Sequence, residues 1–140
     1  MLLGAKIWKS DTSKFWLAEC AALCVTTQGE SVEDAREMLD DAIRSVLPDL
    51  EFRVDWADKK SGSLFVDTQD LARTLSAIVE RNRSNEDMTY AQVAEKNGNS
   101  SANSVYAYES GKRTPTIEKL DQLLAAFGKR LVITTVEDHA

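Results

Sequence analysis

Histidine is all but missing from this chain of 140 residues; the single one, His139, stands second from the C-terminus. Catalytic triads built on histidine and two-histidine metal motifs are thereby excluded. Cysteine is scarce too, with Cys20 and Cys24 only. Two cysteines cannot frame a disulfide scaffold, and together with His139 they fall short of the four ligands of a structural zinc. Four residues apart, on what read as adjacent strands, they are expected to be small packing residues of a cytosolic protein. No apolar run approaches the ~20 residues that cross a bilayer. The opening Met1-Leu2-Leu3-Gly4-Ala5-Lys6 has no charged leader ahead of an apolar stretch. The expected setting is cytoplasmic, with no membrane partner, no metal and no cofactor.

Positive charge is in deficit, with 17 basic against 23 acidic residues and a formal net charge of -6. The deficit lies wholly in residues 1–70, which hold 8 basic and 14 acidic residues, whereas residues 71–140 hold 9 of each. The first half is an acidic body, suited to steering in a basic protein partner or simply to solubility. The second half is neutral with local basic spots, so the overall charge does not exclude nucleic acid.

The first half reads as strands around one helix. Lys6–Lys9, Phe15–Cys20 and Leu23–Thr27 are short runs rich in aromatic and β-branched residues, separated by Asp11-Thr12-Ser13 and closed by Gln28-Gly29. Ser31 with Asp34 opens a helix whose Val32, Ala35, Leu39, Ala42, Ile43 and Val46 share a face, and Pro48 stops it. Glu51–Trp56 alternates with period two, and Leu64-Phe65-Val66 is a possible further strand. Trp8, Trp16 and Trp56 are core or partner-facing. Asp11, Glu19, Asp55 and Asp67 lack the spacing of a nuclease metal cluster and read as scattered solvated carboxylates.

The second half switches to helical spacing. Leu71, Leu75, Ile78 and Val79 mark one helix, with Asp67 or Thr68 as its cap. Thr89-Tyr90-Ala91-Gln92 is a capping box opening a short helix that Asn97-Gly98 ends. A third helix is expected from Ser100 or Ser101 to Ser110, with Gly111 as its terminator. Thr116 caps a fourth, which faces Ile117, Leu120, Leu123, Leu124 and Phe127 inward and ends at Gly128. Leu131–Val136, rich in β-branched residues, reads as a terminal strand.

The stretch from Thr89 to Gly128 resembles the Cro-repressor-type (XRE-like) helix-turn-helix. Thr89 and Ala94 match its first short helix, Gly98 its turn, and Val105, Tyr108, Glu109, Gly111 and Pro115 its later core and loop positions. One residue more than the usual spacing separates Gly98 from Val105, which predicts an extra residue ahead of the recognition helix. The resemblance implies double-stranded operator DNA as a ligand. Ser101, Asn103, Ser104 and Tyr106 would then face bases and backbone, and Lys112 and Arg113 would meet phosphates. Thr89, Tyr90 and Gln92 would contribute at the N-terminus of the first short helix, where Gln92 equally completes the capping box. Tyr108 and Glu109 are read as structural, an aromatic in the core and a charge orienting the recognition helix.

The first half resembles the N-terminal domain of HicB-type antitoxins in Lys14-Phe15-Trp16-Leu17-Ala18-Glu19-Cys20, in Leu23-Cys24-Val25-Thr26-Thr27-Gln28-Gly29 and in Ser31-Val32-Glu33-Asp34-Ala35. The family's usual proline before the leucine of Leu23 is absent, and Cys20-Ala21-Ala22 stands there. That resemblance implies a catalytically inactive, partial RNase H-like β-β-β-α-β unit. The expected fold is therefore α+β: a small sheet domain over residues 1–66, then an all-α helix-turn-helix domain with a terminal strand over residues 67–140. The expected function is non-enzymatic. The first domain would neutralise a HicA-type mRNA-cleaving toxin, and the second would repress the shared operon, as a homodimer or higher oligomer. The alternatives are a stand-alone transcriptional repressor whose N-terminal domain senses a ligand or oligomerises, and a metal-dependent nuclease.

Overall fold

The computed structural model describes residues 1–98 and 101–137. Five strands come first around one helix: β1 (Leu2–Lys9), β2 (Trp16–Cys20), β3 (Val25–Gly29), α1 (Val32–Val46), β4 (Phe52–Asp58) and β5 (Ser63–Thr68). Four helices follow: α2 (Leu71–Asn85), α3 (Tyr90–Asn97), α4 (Ala102–Glu109) and α5 (Ile117–Ala126). The expected α+β class is what the chain adopts.

The sheet is antiparallel throughout, in the order β3-β2-β1-β5-β4. The possible strand at Leu64–Val66 is thus β5, and it lies beside the central β1 rather than at an edge. Alternation sends Leu3 and Ile7 of β1, Ala18 and Cys20 of β2, Val54 of β4, and Leu64 and Val66 of β5 to one buried face. Helix α1 lays Ala35, Leu39 and Ile43 on that face. Its start is set by Ser31, whose hydroxyl accepts the Asp34 N–H at 3.0 Å, while the Asp34 carboxylate accepts the Glu30 N–H at 2.8 Å. Gly29 lets this first turn approach β3, since a Cβ there would collide with the backbone of Ala35.

Several expected elements differ: β1 begins at Leu2 rather than Lys6, and α2 is capped by Asp70 rather than by Asp67 or Thr68, which belong to β5. The third strand starts at Val25, not Leu23, because Ala21–Leu23 forms a 3₁₀ turn and Cys24 takes a left-handed conformation with φ 53°. The terminal strand at Leu131–Val136 is not formed: none of these residues pairs with a strand. Their first hydrogen bonds go elsewhere. The Lys129 ammonium donates to the Ala21 carbonyl at 2.9 Å, and the Leu131 N–H donates to the Asp121 carboxylate at 3.0 Å. A turn and a helix hold the start of this segment, so it does not enter the sheet.

The two halves are joined through α2. Strand β5 runs past residue 66 to Thr68, and one continuous apolar cluster passes from the sheet into the helices. Asn82, 1% exposed, donates its amide to the carbonyls of Ala22 at 3.0 Å and Ile78 at 2.8 Å and accepts the Cys24 thiol at 3.3 Å. Arg81 donates to the carbonyls of Leu23 and Cys24 at 3.0 and 3.1 Å. The carbonyls of the 3₁₀ turn, which no strand can satisfy, are thus satisfied from α2 and Lys129.

Candidate nucleic-acid interface

Helices α3 and α4 form the two short arms that the sequence spacing predicts. Thr89 caps α3: its hydroxyl accepts the Gln92 N–H at 3.1 Å, and the Gln92 side-chain oxygen accepts the Thr89 N–H at 2.8 Å. The capping box is complete, leaving the Gln92 amide nitrogen and the Thr89 hydroxyl proton as outward donors. Gly98 closes α3 at φ 75°, donating its N–H to the Ala94 carbonyl at 3.0 Å. Asn99 and Ser100 lie outside the described residues, as does His139.

Ser101 is the cap of α4, accepting the Ser104 N–H at 3.1 Å and donating its hydroxyl to Ser104 Oγ at 3.1 Å. The helix begins at Ala102, three residues before Val105, with its cap one residue earlier. Val105 and Tyr108 are buried against the neighbouring helices, while Asn103 and Tyr106, three apart, are exposed on one side. The serines are spent on the cap; Asn103 and Tyr106 are open.

Glu109 holds the far end of α4. Arg83, on the last turn of α2, donates Nε to one Glu109 carboxylate oxygen at 2.6 Å and Nη2 to the other at 2.8 Å. Its third nitrogen donates to the Met88 carbonyl at 2.9 Å, just ahead of α3. One guanidinium therefore ties α2, the entry to α3 and the end of α4. The carboxylate beside it holds the Arg83 guanidinium above its ordinary pKa. Tyr90 completes the cluster: its ring lies 4.4 Å from the Arg83 guanidinium carbon, its hydroxyl faces Glu109 at 3.4 Å, and it meets Tyr106 edge-on at 5.6 Å. Partial burial, then the Glu109 charge, raises the Tyr90 phenol pKa.

Lys112 and Arg113 follow Gly111, whose φ of 80° turns the chain out of α4. Both are exposed; the Lys112 ammonium lies 5.4 Å from the Tyr106 ring centre, and Arg113 lies 5.4 Å from that of Tyr108. The candidates thus fall into an outward set, Asn103, Tyr106, Lys112 and Arg113, and a set engaged in caps and buttressing, Thr89, Tyr90, Gln92, Ser101 and Ser104. Sequence reasoning missed Arg83, Asn82, Arg81 and Lys129. No local pattern marks Arg83, whose carboxylate partner lies 26 residues further on.

Among the described residues, no group of three or more His, Cys, Asp or Glu side chains is gathered as a metal site. No helix among them is long and apolar enough to cross a membrane. No curated protein matches the chain. Residues 80–133, from the middle of α2 through α5, match the family described as Helix-turn-helix, and this part of the chain is a DNA-binding domain of the kind that regulates transcription.

Proposed function

We propose that this protein is a HicB-type antitoxin that represses its own operon. The unit over residues 1–66 neutralises a small basic mRNA-cleaving toxin of the HicA type, and the unit over residues 67–140 binds operator DNA. The observation that carries the DNA half is the outward face of α4, with Asn103 and Tyr106 beside Lys112 and Arg113, anchored from behind by Arg83 and Glu109. A helix presented in this way fits the major groove, with loop cations set for flanking phosphates.

The toxin half is supported by the resemblance of residues 14–35 and by the exposed side of α1. Glu33, Glu37 and Asp41 stand there at four-residue spacing, all exposed. Glu33 is paired with Arg36 at 2.7 Å, whereas Glu37 and Asp41 are like charges that cost the helix a little stability and that a basic partner would relieve. The protein acts as a homodimer, as two half-sites of an operator require. Its exposed tail, with Val132 79% and Ile133 64% exposed, supplies the self-pairing segment.

Co-expression with the product of a neighbouring reading frame of about 60–80 residues, followed by size-exclusion chromatography and growth rescue, tests the reading. Co-elution and rescue are the expected results. A toxic neighbour that stays free and lethal overturns the antitoxin half. One observation favours a second reading, a ligand-sensing repressor. An apolar cavity of about 430 Å³ lies between the start of β1, Ile78, Leu120, Leu124 and Leu131, at the junction of sheet and helices. Absence of any toxic neighbour, with repression responding to a small apolar effector, would favour it.

A further inference from the structure

We infer that the recognition helix α4 reads A·T base pairs, with thymine methyl groups rather than guanine edges carrying much of its sequence preference. The inference rests on the DNA-binding reading of residues 80–133 and concerns which base edges this helix is equipped to meet.

Each base pair shows a distinct pattern in the major groove. Guanine is read by the paired donors of Arg or by Lys, cytosine by a carboxylate, adenine by the amide of Asn or Gln, and the thymine methyl by apolar contact. Helix α4, Ala-Asn-Ser-Val-Tyr-Ala-Tyr-Glu, contains no arginine and no lysine. Its one acid, Glu109, has both carboxylate oxygens on Arg83 and has none to spare for cytosine. Its one amide is Asn103, exposed in the first turn. The hydroxyls of Ser101 and Ser104 are engaged with each other at the cap.

Besides the Ser104 hydroxyl proton and the Tyr106 phenol, which can meet any base edge, what remains on the outward side is apolar: the half-buried methyls of Ala102 and Ala107 and the ring of Tyr106, 46% exposed. Tyr106 is a positioned surface. Tyr90 meets it at an interplanar angle of 84°, and the Lys112 ammonium lies over its ring at 5.4 Å. The available set is therefore one adenine reader with methyl and ring contacts around it. The nearest cations, Lys112 and Arg113, come after Gly111, past the C-terminal end of α4. They stand at the opposite end from Asn103, where backbone phosphates rather than base edges are the natural contact.

Selection of the full-length protein on a random-sequence duplex library, followed by anisotropy titration of the selected duplex, tests this. The expected site holds adenine at one fixed position with thymines around it. Replacing those thymines by deoxyuridine, which removes only the 5-methyl group, should weaken binding roughly three- to tenfold. Tyr106→Ala should abolish that difference, and Asn103→Arg should move the preference at one position from adenine to guanine. A selected site fixed in guanine or cytosine, a library with no enriched sequence, or a deoxyuridine duplex bound as tightly as the thymine one overturns the inference while DNA binding stands. Failure to bind any duplex at low salt overturns the DNA-binding reading and this inference with it.

Discussion

Arg83 and Glu109 form a two-pronged ion pair, 2.6 and 2.8 Å, between the last turn of α2 and the last residue of α4. Their side chains are only 21% and 10% exposed, so removing one partner strands the other where water reaches it poorly. Arg83→Ala should cost about 2–4 kcal/mol in urea denaturation and should loosen α4 enough to weaken DNA binding. In a double-mutant cycle with Glu109→Ala, the two losses should not add. Additive losses would mean that the pair does not hold the helix.

Lys112 and Arg113 should act on all DNA sequences alike. Their joint replacement by alanine should flatten the log-log dependence of affinity on salt by roughly one to two units. The selected base preference should stay the same. Unchanged affinity at low salt would place the phosphate contacts elsewhere.

Asn82 ties the turn at Ala22–Cys24 to α2. Asn82→Ala leaves the Ala22 carbonyl without its donor and the Cys24 thiol proton without its acceptor, at a cost of about 1–3 kcal/mol. Calorimetry should show the single transition broadening or splitting, because the apolar cluster that crosses the junction is no longer pinned there.

Cys20 sets a pH limit. Burial first of all, opposed by backbone hydrogen bonds from Leu23 and Ala22, raises its thiol from 9.0 to about 11. The neutral thiol is the folded form, so its contribution is complete below pH 9.0 and is lost as pH rises toward about 11. Stability should fall over that window by roughly a kcal/mol per pH unit at most from this group. Cys20→Ala should remove that part of the slope. Iodoacetamide should leave Cys20 unlabelled at neutral pH until the protein is unfolded.

The tail tests assembly. Replacing Val132 and Ile133 by aspartate alters two exposed side chains and should leave the fold intact, yet light scattering should show a monomer. Binding to a palindromic duplex should weaken with it. A variant that stays dimeric and binds as tightly as the parent would remove the tail from the contact.

The helical half was legible because its signals are local. Caps and terminators such as Thr89 with Gln92, Ser101, Thr116 and Gly98 act within one turn, so spacing alone places α3, α4 and α5. The alternation of β4 and the apolar stripe of α1 are local in the same way. The tail shows the converse. Leu131–Val136 has the composition of a strand, but a strand needs a free edge beside it, and hydrogen bonds from Lys129 and Leu131 to a turn and to Asp121 hold its start elsewhere.

By itself, the sequence determined the α+β class, the succession of strands and helices from β1 to α5, and the caps of the short helices. These depend on contacts within a few residues of the chain. Only the tertiary structure decided that β5 lies inside the sheet between β1 and β4, that Asn82 and Arg81 satisfy the turn at Ala22–Cys24, and that Arg83 holds Glu109. The Asn82–Ala22 and Arg83–Glu109 bonds span 60 and 26 residues of chain. No local pattern records such a pairing, because the desolvation that makes it strong exists only once both halves have packed.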